Sequence, residues 1–302
     1  MTHSHHPLDG RLPHMLRSGK PLRGLFNGLP SPAIVEMCAY AGFDFIILDN
    51  EHGSADLGTT EHMLRAARAA GIVPVVRCFE HDLPRVLDMG ASAVQVPMVE
   101  SAEQARRLAA MVHYPPLGRR GSAFSTRAAG YGAFGGAGHT QHSNDGIGFI
   151  AMIETPEAIA VAAEIAAVEG VDAVFIGPND LAHAMGHGSD WTAAPVQQAI
   201  EQGLKAIASA GKCPGIIERG GHHGGQDARL RGVHADDFRR LRVGLHGAQA
   251  VAQPRMADQR EDERRDDGGP QHQVVVRNAG LELHLRPAFG KRNGQAHRPS
   301  RD

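Results

Sequence analysis

The stretch FIILDNEHG, residues 45–53, begins as an apolar strand and ends in a cluster of polar side chains. Three further apolar runs end in the same way, with a polar residue where the predicted strand stops. They are residues 72–76 before Arg77, residues 149–153 before Glu154, and residues 173–176 before the sequence Gly177-Pro178-Asn179-Asp180. Because the carboxyl ends of parallel barrel strands open onto one face, these distant segments can converge on a single site.

Predicted strands alternate with predicted helices between residues 22 and 217, in seven strand–helix steps. The predicted helix ends carry residues that are typical of helix caps. Ser31-Pro32 is typical of an N-cap followed by proline in the first turn, and Gly71 is typical of a helix C-cap. Strands joined by helical crossovers pair in parallel. One more unit would close the sheet, so the sequence predicts an α/β fold of the TIM (β/α)8 barrel type.

The overall composition is that of an ordinary globular protein. Of 302 residues, 42% are hydrophobic and 21% charged, and the formal net charge is -2. This balance gives no reason to expect binding to nucleic acid or to a membrane, and no apolar run is long enough for a transmembrane helix. Residues 1–13 lack the apolar core of a signal peptide, and Cys38, Cys78 and Cys213 lack metal-binding spacing. We therefore expect a cytoplasmic enzyme.

The chain divides into an N-terminal extension (residues 1–20), a barrel domain (21–217) and a tail of different composition (218–302). The tail has 15 Arg against one Lys and contains no Ile, Thr, Tyr or Cys. Such a composition buries little apolar surface, so we expect low order there. The eighth strand–helix unit is therefore missing or replaced by this tail. We interpret the tail as an out-of-frame reading of a GC-rich gene, with a genuine low-order tail as the alternative.

Glu154 and Asp180 are the candidate metal ligands. Two carboxylates at neighbouring strand ends suit a hard divalent cation, because Mg²⁺ takes one or two protein carboxylates and completes its shell with water or substrate oxygens. The alternative for each residue alone is an acid near a helix N-terminus or on the surface.

His52 and Arg77 are the candidate catalytic side chains. Asp49 precedes His52 by three residues, and a carboxylate near a histidine can fix its tautomer for proton transfer. A loop histidine beside a capping residue is the alternative. Arg77 ends an apolar strand, where a guanidinium either pairs with a structural carboxylate or holds an anionic substrate.

Six segments of the chain, in order, resemble the HpcH/HpaI aldolase family, in particular its class II pyruvate aldolases of the 4-hydroxy-2-oxoheptanedioate type. They are FDFIILDNEHG (43–53), PVVR (74–77), AVQVPMV (93–99), YPPLGRRG (114–121), IET (153–155) and FIGPNDL (175–181). The resemblance covers roughly residues 20–217 and excludes the tail.

The resemblance implies a TIM barrel that uses Mg²⁺, Mn²⁺ or Co²⁺ to cleave a 4-hydroxy-2-oxo acid into pyruvate and an aldehyde through a metal-bound enolate. It implies that Glu154 and Asp180 bind the metal, and that His52, oriented by Asp49, is the acid/base. Arg77 would stabilise the enolate oxygen. The backbone of residues 177–179 (Gly177, Pro178, Asn179) would receive the pyruvate carboxylate.

The resemblance further implies a homo-oligomer and a place in the breakdown of aromatic compounds. The chain departs from the family pattern in three ways. Met152 stands where these aldolases often have a Gln that touches pyruvate. The stretch between Arg77 and Asp88 is shorter than in typical members, which argues against a role for Asp88 at the site, and the last barrel unit is missing. Two alternatives remain open. One is a CoA-ester lyase similar to the citrate lyase β subunit, with Arg119 and Arg120 as the only candidates for a CoA-binding patch. The other is an inactive remnant of an aldolase.

The interpretation of the tail can be tested on the coding DNA. We expect one of the other two reading frames after codon 217 to encode an alternating strand–helix pattern. Absence of that pattern from both frames would leave the genuine tail as the explanation.

Overall fold

We describe a computed structural model of the chain, covering residues 6–218 and 243–246. These residues fall within the first of two units, Met1–Ala248, and the second unit, Gln249–Asp302, lies outside the described part. Most of the predicted tail therefore also lies outside it. Among the described residues, no helix combines the length and apolar character needed to cross a membrane.

A curled parallel sheet forms the centre of the first unit. Its strands are β1 (Leu22–Asn27), β2 (Phe45–Asp49), β3 (Val73–Arg77), β4 (Ala93–Val96), β5 (Gly148–Ile153), β6 (Ala173–Ile176), β7 (Cys213–Glu218) and β8 (Val243–His246). From β1 to β8, each strand pairs in parallel with the next. The seven strands up to β7 agree in number with the prediction, and the predicted ranges 72–76, 149–153 and 173–176 match β3, β5 and β6 to within one residue.

The short strand β8 comes from the segment that the sequence assigned to the tail. It pairs with β7 on one side and with β1 on the other, so the strand order closes on itself. The sequence predicted that the eighth unit would be missing or replaced. In the structure, four tail residues take the place of its strand, and the residues flanking them lie outside the described part.

The helices surround the sheet. They are α1 (Leu12–Arg17), α2 (Pro32–Tyr40), α3 (Leu57–Ala70), α4 (Leu83–Asp88), α5 (Ala102–Val112), α6 (Ala137–Gly146), α7 (Pro156–Ala160), α8 (Ala162–Ala166), α9 (Pro178–Ala184) and α10 (Ala194–Ser209). Their ends follow local chemistry. Ser101 and Thr155 cap α5 and α7 by accepting backbone N–H groups, and Gly71 ends α3 at φ 80°, a conformation that glycine adopts without strain.

Alternation along the strands produces two apolar layers. Outward side chains such as Ile46, Leu48 and Val94 pack against the helices. Inward side chains such as Phe45, Ile47 and Phe175 fill the interior of the sheet. Polar groups at the carboxyl ends of the strands therefore stand above a packed apolar interior.

Helix α1 closes the opposite end of this interior. Leu12 and Leu16 belong to the inner apolar cluster, and the Cδ2 atom of Leu12 lies against Gly148 at the start of β5. The segment that the sequence assigned to an N-terminal extension thus supplies part of the core.

We expect Leu12→Ala to lower the free energy of unfolding by about 2–5 kcal/mol, because it leaves a cavity beneath the inner cluster. Urea unfolding would measure the change. The control is Leu29→Ala, whose side chain is 57% exposed and whose effect should stay within about 0.5 kcal/mol. Equal effects of the two substitutions would contradict the packing of α1 described above.

Candidate active site

The four predicted strand ends meet at one end of the sheet. Asp49 and Arg77 are register partners at the ends of β2 and β3, and both are buried. Glu154 follows β5 and is 3% exposed, whereas Asp180 lies exposed in the first turn of α9 after β6. The parallel arrangement therefore brings together side chains that are more than 100 residues apart.

Asp49 and Arg77 form a two-pronged ion pair. Arg77 Nε donates to Asp49 Oδ1 at 2.8 Å, and Arg77 Nη2 donates to Asp49 Oδ2 at 2.5 Å. Burial by itself would raise the pKa of Asp49, but hydrogen bonds from Arg77 and its charge outweigh burial and leave the pKa lowered. Asp49 is therefore a fixed anion, and the planar guanidinium is held in one orientation.

Glu51 is a second anionic partner of Arg77, and the sequence analysis did not identify it. Its Oε2 lies 3.2 Å from Arg77 Nη1 and 3.8 Å from His52 Nε2. Burial raises the pKa of Glu51, and the charges of Asp49 and Asp180 add to the rise while Arg77 and His52 oppose it. One feature of the sequence could have identified Glu51 as a site residue. It lies between Asn50 and His52, in the polar segment that directly follows β2.

His52 lies at the mouth of the site, and its side chain is 66% exposed. The sequence analysis expected Asp49 to orient it. Asp49 Oδ1 does accept from His52, but from the backbone N–H, at 3.2 Å. The acidic side chain near the imidazole is Glu51. Asp49 therefore fixes the loop that carries His52, and Glu51 is the carboxylate placed to influence the ring.

Glu154 carries the largest change in acidity at the site. Burial is the largest cause, and together with the nearby charges of Asp180 and Glu51 it raises the pKa of Glu154 to about 7, although a hydrogen bond from the Met98 backbone and the charge of Arg77 oppose the rise. The Met98 N–H donates to Glu154 Oε2 at 3.0 Å. A buried carboxylate among other carboxylates is poised to take up a proton or a cation.

Met98 is a second residue that the sequence analysis did not assign to the site. Its φ of 55° is unusual for a residue other than glycine, and this turn aims its N–H at Glu154. Gln104 Nε2 donates to the Met98 carbonyl at 3.0 Å, which ties the loop to α5. No pattern of residue types in the sequence marks such a backbone contact.

The segment Gly177-Pro178-Asn179 runs past the same carboxylate. A Cβ on Gly177 would collide with Glu154 Oε1 and with Met152 Cε, which explains the need for glycine. The Gly177 N–H donates to the Ile153 carbonyl at 3.0 Å, and Pro178 has no N–H. In the described part of the structure, the backbone N–H of Asn179 has no hydrogen-bond partner. It is therefore the one backbone donor of this three-residue segment that remains available to a ligand.

The donor set fits a hard divalent cation that keeps open positions. Glu154 and Asp180 offer carboxylate oxygens, and their mutual repulsion, which contributes to the raised pKa of Glu154, would be relieved by a cation. Within residues 6–218, no group of three His, Cys, Asp or Glu side chains is arranged to enclose a metal. The arrangement therefore suits an ion held by two carboxylates and completed by water or substrate, and not a closed structural site.

Residues 22–219 match the family model described as HpcH/HpaI aldolase/citrate lyase. The chain belongs to this family. The expectation drawn from its six motifs is confirmed, and the match begins with β1 and ends just after β7.

Several members of the HpcH/HpaI family are similar in sequence or structure. A hydroxypyruvate/pyruvate aldolase of Delftia acidovorans is 42% identical over 206 residues, which cover 67% of this chain and 76% of the relative. A 4-hydroxy-2-oxo-heptane-1,7-dioate aldolase of Klebsiella pneumoniae is 39% identical, with 67% and 77% covered. A crystal structure of a family protein from Burkholderia cenocepacia J2315 aligns with a TM-score of 0.70 at 31% identity, covering 79% of this chain and 93% of that chain. These relatives confirm a carbon–carbon lyase of the aldolase class.

The raised pKa of Glu154 has a testable effect on stability. The folded state favours the protonated carboxyl, so ionisation destabilises the fold increasingly between pH 4.5, the ordinary pKa, and about 7. Without divalent cation at pH 8, we expect Glu154→Gln to be more stable than wild type by on the order of 2 kcal/mol. The difference should shrink toward pH 4.5 in urea unfolding experiments.

The matched control is Glu157→Gln, an exposed acid in the first turn of α7. Its effect should stay within about 0.5 kcal/mol and show no comparable growth with pH. A Glu154→Gln difference that does not change with pH would contradict the raised pKa.

Proposed function

We propose that this chain is a divalent-metal-dependent aldolase that cleaves a 4-hydroxy-2-oxo acid into a pyruvate-type 2-oxo acid and an aldehyde. The observation that carries the proposal is the pairing of two half-sites at one end of the sheet. One is the fixed cation Arg77 with Glu51 and His52, and the other is the buried carboxylate Glu154 with Asp180 nearby. We further infer that the ring of strands is a TIM (β/α)8 barrel, which the family membership supports.

Glu154 and Asp180 are the residues that would hold the cation, which we propose to be Mg²⁺, Mn²⁺ or Co²⁺. When bound, the cation would supply Lewis-acid polarisation of the carboxylate and keto oxygens of the 2-oxo acid. The N–H of Asn179 would donate to the substrate carboxylate. This role rests on one backbone donor, since the Gly177 N–H is used within the sheet.

Arg77 would stabilise the oxygen that becomes negative during the reaction. Its guanidinium is held by two carboxylates and lies 4.8 Å from the centre of the Phe26 ring, so it is already oriented before substrate binds. A preorganised cation of this kind lowers the free energy of the developing enolate without rearranging.

His52 would move the protons. In the cleavage direction its imidazole takes the proton from the C4 hydroxyl, the C3–C4 bond breaks, and the electron pair becomes the enolate of the 2-oxo acid. Protonation at C3 then releases the acid. Glu51, 3.8 Å from His52 Nε2, is placed to stabilise the imidazolium that forms between these steps.

The CoA-ester lyase alternative is not favoured. It required a basic patch containing Arg119 and Arg120. Arg120 is buried, donates from Nη2 to Asp88 at 2.9 Å and lies 4.5 Å from the centre of the Tyr114 ring. This guanidinium is therefore engaged within the fold and is not available to a ligand. Of the two arginines that the CoA-binding patch required, only Arg119 is exposed.

Proton–deuterium exchange at the methyl group of pyruvate in D₂O tests the proposed function without knowledge of the aldehyde. NMR with and without Mn²⁺ would follow it. We expect metal-dependent exchange that falls at least about 100-fold in His52→Ala, because the base is lost. Arg77→Lys should lose about 100-fold or more, because a lysine cannot reproduce the fixed fork of donors.

The control is His62→Ala, which removes an exposed histidine of α3 and should leave the exchange rate unchanged. Folded wild-type protein that shows no exchange with Mn²⁺ would contradict the proposed function and favour an inactive remnant. Analytical ultracentrifugation of the same sample would test the homo-oligomer that we infer from the family.

A further inference from the structure

Gln95 is a polar residue in the apolar interior of the sheet, directly beneath the site. It lies in β4 and is 0% exposed. Ala93 lies two residues before Gln95 on the same strand, and Ile150 on β5 is the register partner of Gln95. Both belong to the inner cluster, so the side chain of Gln95 points to the same interior. None of the roles assigned above uses this residue.

The two polar atoms of the Gln95 amide are unequally satisfied. Nε2 donates to Met152 Sδ at 3.1 Å, whereas Oε1 has no hydrogen-bond partner among residues 6–218. A thioether sulfur can accept but cannot donate, so it requires the amide nitrogen on its side and turns the carbonyl away from it. A buried carbonyl without a donor is unfavourable, and each such group in a native protein calls for an explanation, of which a role in binding or catalysis is one.

The surroundings place this carbonyl next to the reacting groups. Gln95 is the register partner of Arg77, and in-register neighbours of a parallel pair project on the same face about 4.8 Å apart. On the other side, the methyl group of Met152 lies against Gly177, which in turn lies against Glu154. Gln95 thus belongs to the floor between the guanidinium and the candidate metal ligand.

We propose that Gln95 is a specificity-determining residue, whose carbonyl accepts a hydrogen bond from a hydroxyl on C3 of the 2-oxo acid. The inference rests on the proposed function, because it assumes that the 2-oxo acid binds between Arg77 and Glu154. The preferred nucleophilic substrate is then a 3-hydroxy-2-oxo acid such as hydroxypyruvate, since pyruvate has a methyl group there and offers no donor.

The chemistry of an amide suits this task. A carboxylate at position 95 would add a charge beside Asp49 and Glu51 and compete for Arg77, whereas a neutral amide leaves that ion pair intact. A site built to accept a hydrogen bond from a substrate hydroxyl discriminates strongly against an analogue that lacks it, because its own polar group is then buried without a partner.

The test compares deuterium exchange at C3 of hydroxypyruvate and of pyruvate, with Mn²⁺ and with enzyme-free rates subtracted. The quantity measured is the ratio of the two kcat/KM values. We expect Gln95→Met to lower the hydroxypyruvate-to-pyruvate ratio at least about tenfold, chiefly through a higher KM for hydroxypyruvate. The melting temperature should not fall, because an apolar side chain of similar length replaces the unpaired carbonyl.

Two further variants make the result specific. The double substitution Gln95→Leu/Met152→Gln moves the amide to the neighbouring strand within the same interior, and it should recover part of the ratio lost in Gln95→Met. Gln198→Met, on the exposed face of α10, is the matched control and should leave the ratio unchanged.

The outcomes separate the two proposals. A ratio unchanged in Gln95→Met, with wild type active on pyruvate, would overturn the role of Gln95 and leave the aldolase proposal standing. Equal losses on both substrates with a lower melting temperature would assign Gln95 a structural role and also overturn the inference. Wild-type protein that exchanges neither substrate would reject both.

Discussion

The buried guanidinium of Arg77 is the constraint on which the rest of the site depends. Taking a positive charge into the end of an apolar sheet is costly unless it is paired and hydrogen-bonded. Asp49 accepts two hydrogen bonds from the guanidinium, and Glu51 adds a second ion pair. Because Asp49 also accepts the backbone N–H groups of Glu51 and His52, the same carboxylate fixes the loop that follows β2. The position of His52 is thus a consequence of how the charge of Arg77 is neutralised.

The other half of the site has the opposite electrostatic character. Glu154 is buried, and Asp180 and Glu51 add negative charge close to it, so its pKa rises to about 7. The Met98 N–H lessens this excess charge without cancelling it. One half of the site is therefore a compensated ion pair that stays rigid, and the other is an excess of carboxylates that becomes stable on taking up a cation. If a cation is held there, a 2-oxo acid lying between the two halves would meet positive charge on both sides.

The packing beneath the site explains why the charged groups at the strand ends can be held in fixed positions. Inward apolar side chains fill the sheet and α1 closes its far end, so the polar residues stand on a rigid floor. Gln95 and Met152 are the exceptions in that floor, an amide and a thioether at adjacent strands. Their contact places an amide next to the groups that would bind substrate, which is the position we propose for control of specificity.

The sequence by itself determined the alternation of strands and helices, the helix caps, and the positions of His52, Arg77, Glu154 and Asp180 at strand ends. These features depend on local periodicity and on residue type, which a linear chain displays directly. The tertiary structure decided which groups touch. Glu51 as the neighbour of His52, the Met98 N–H on Glu154 and the burial of α1 all depend on distances between segments far apart in sequence. The eighth strand, too, is recognisable only from its two partners, because its composition carries no clear strand signal.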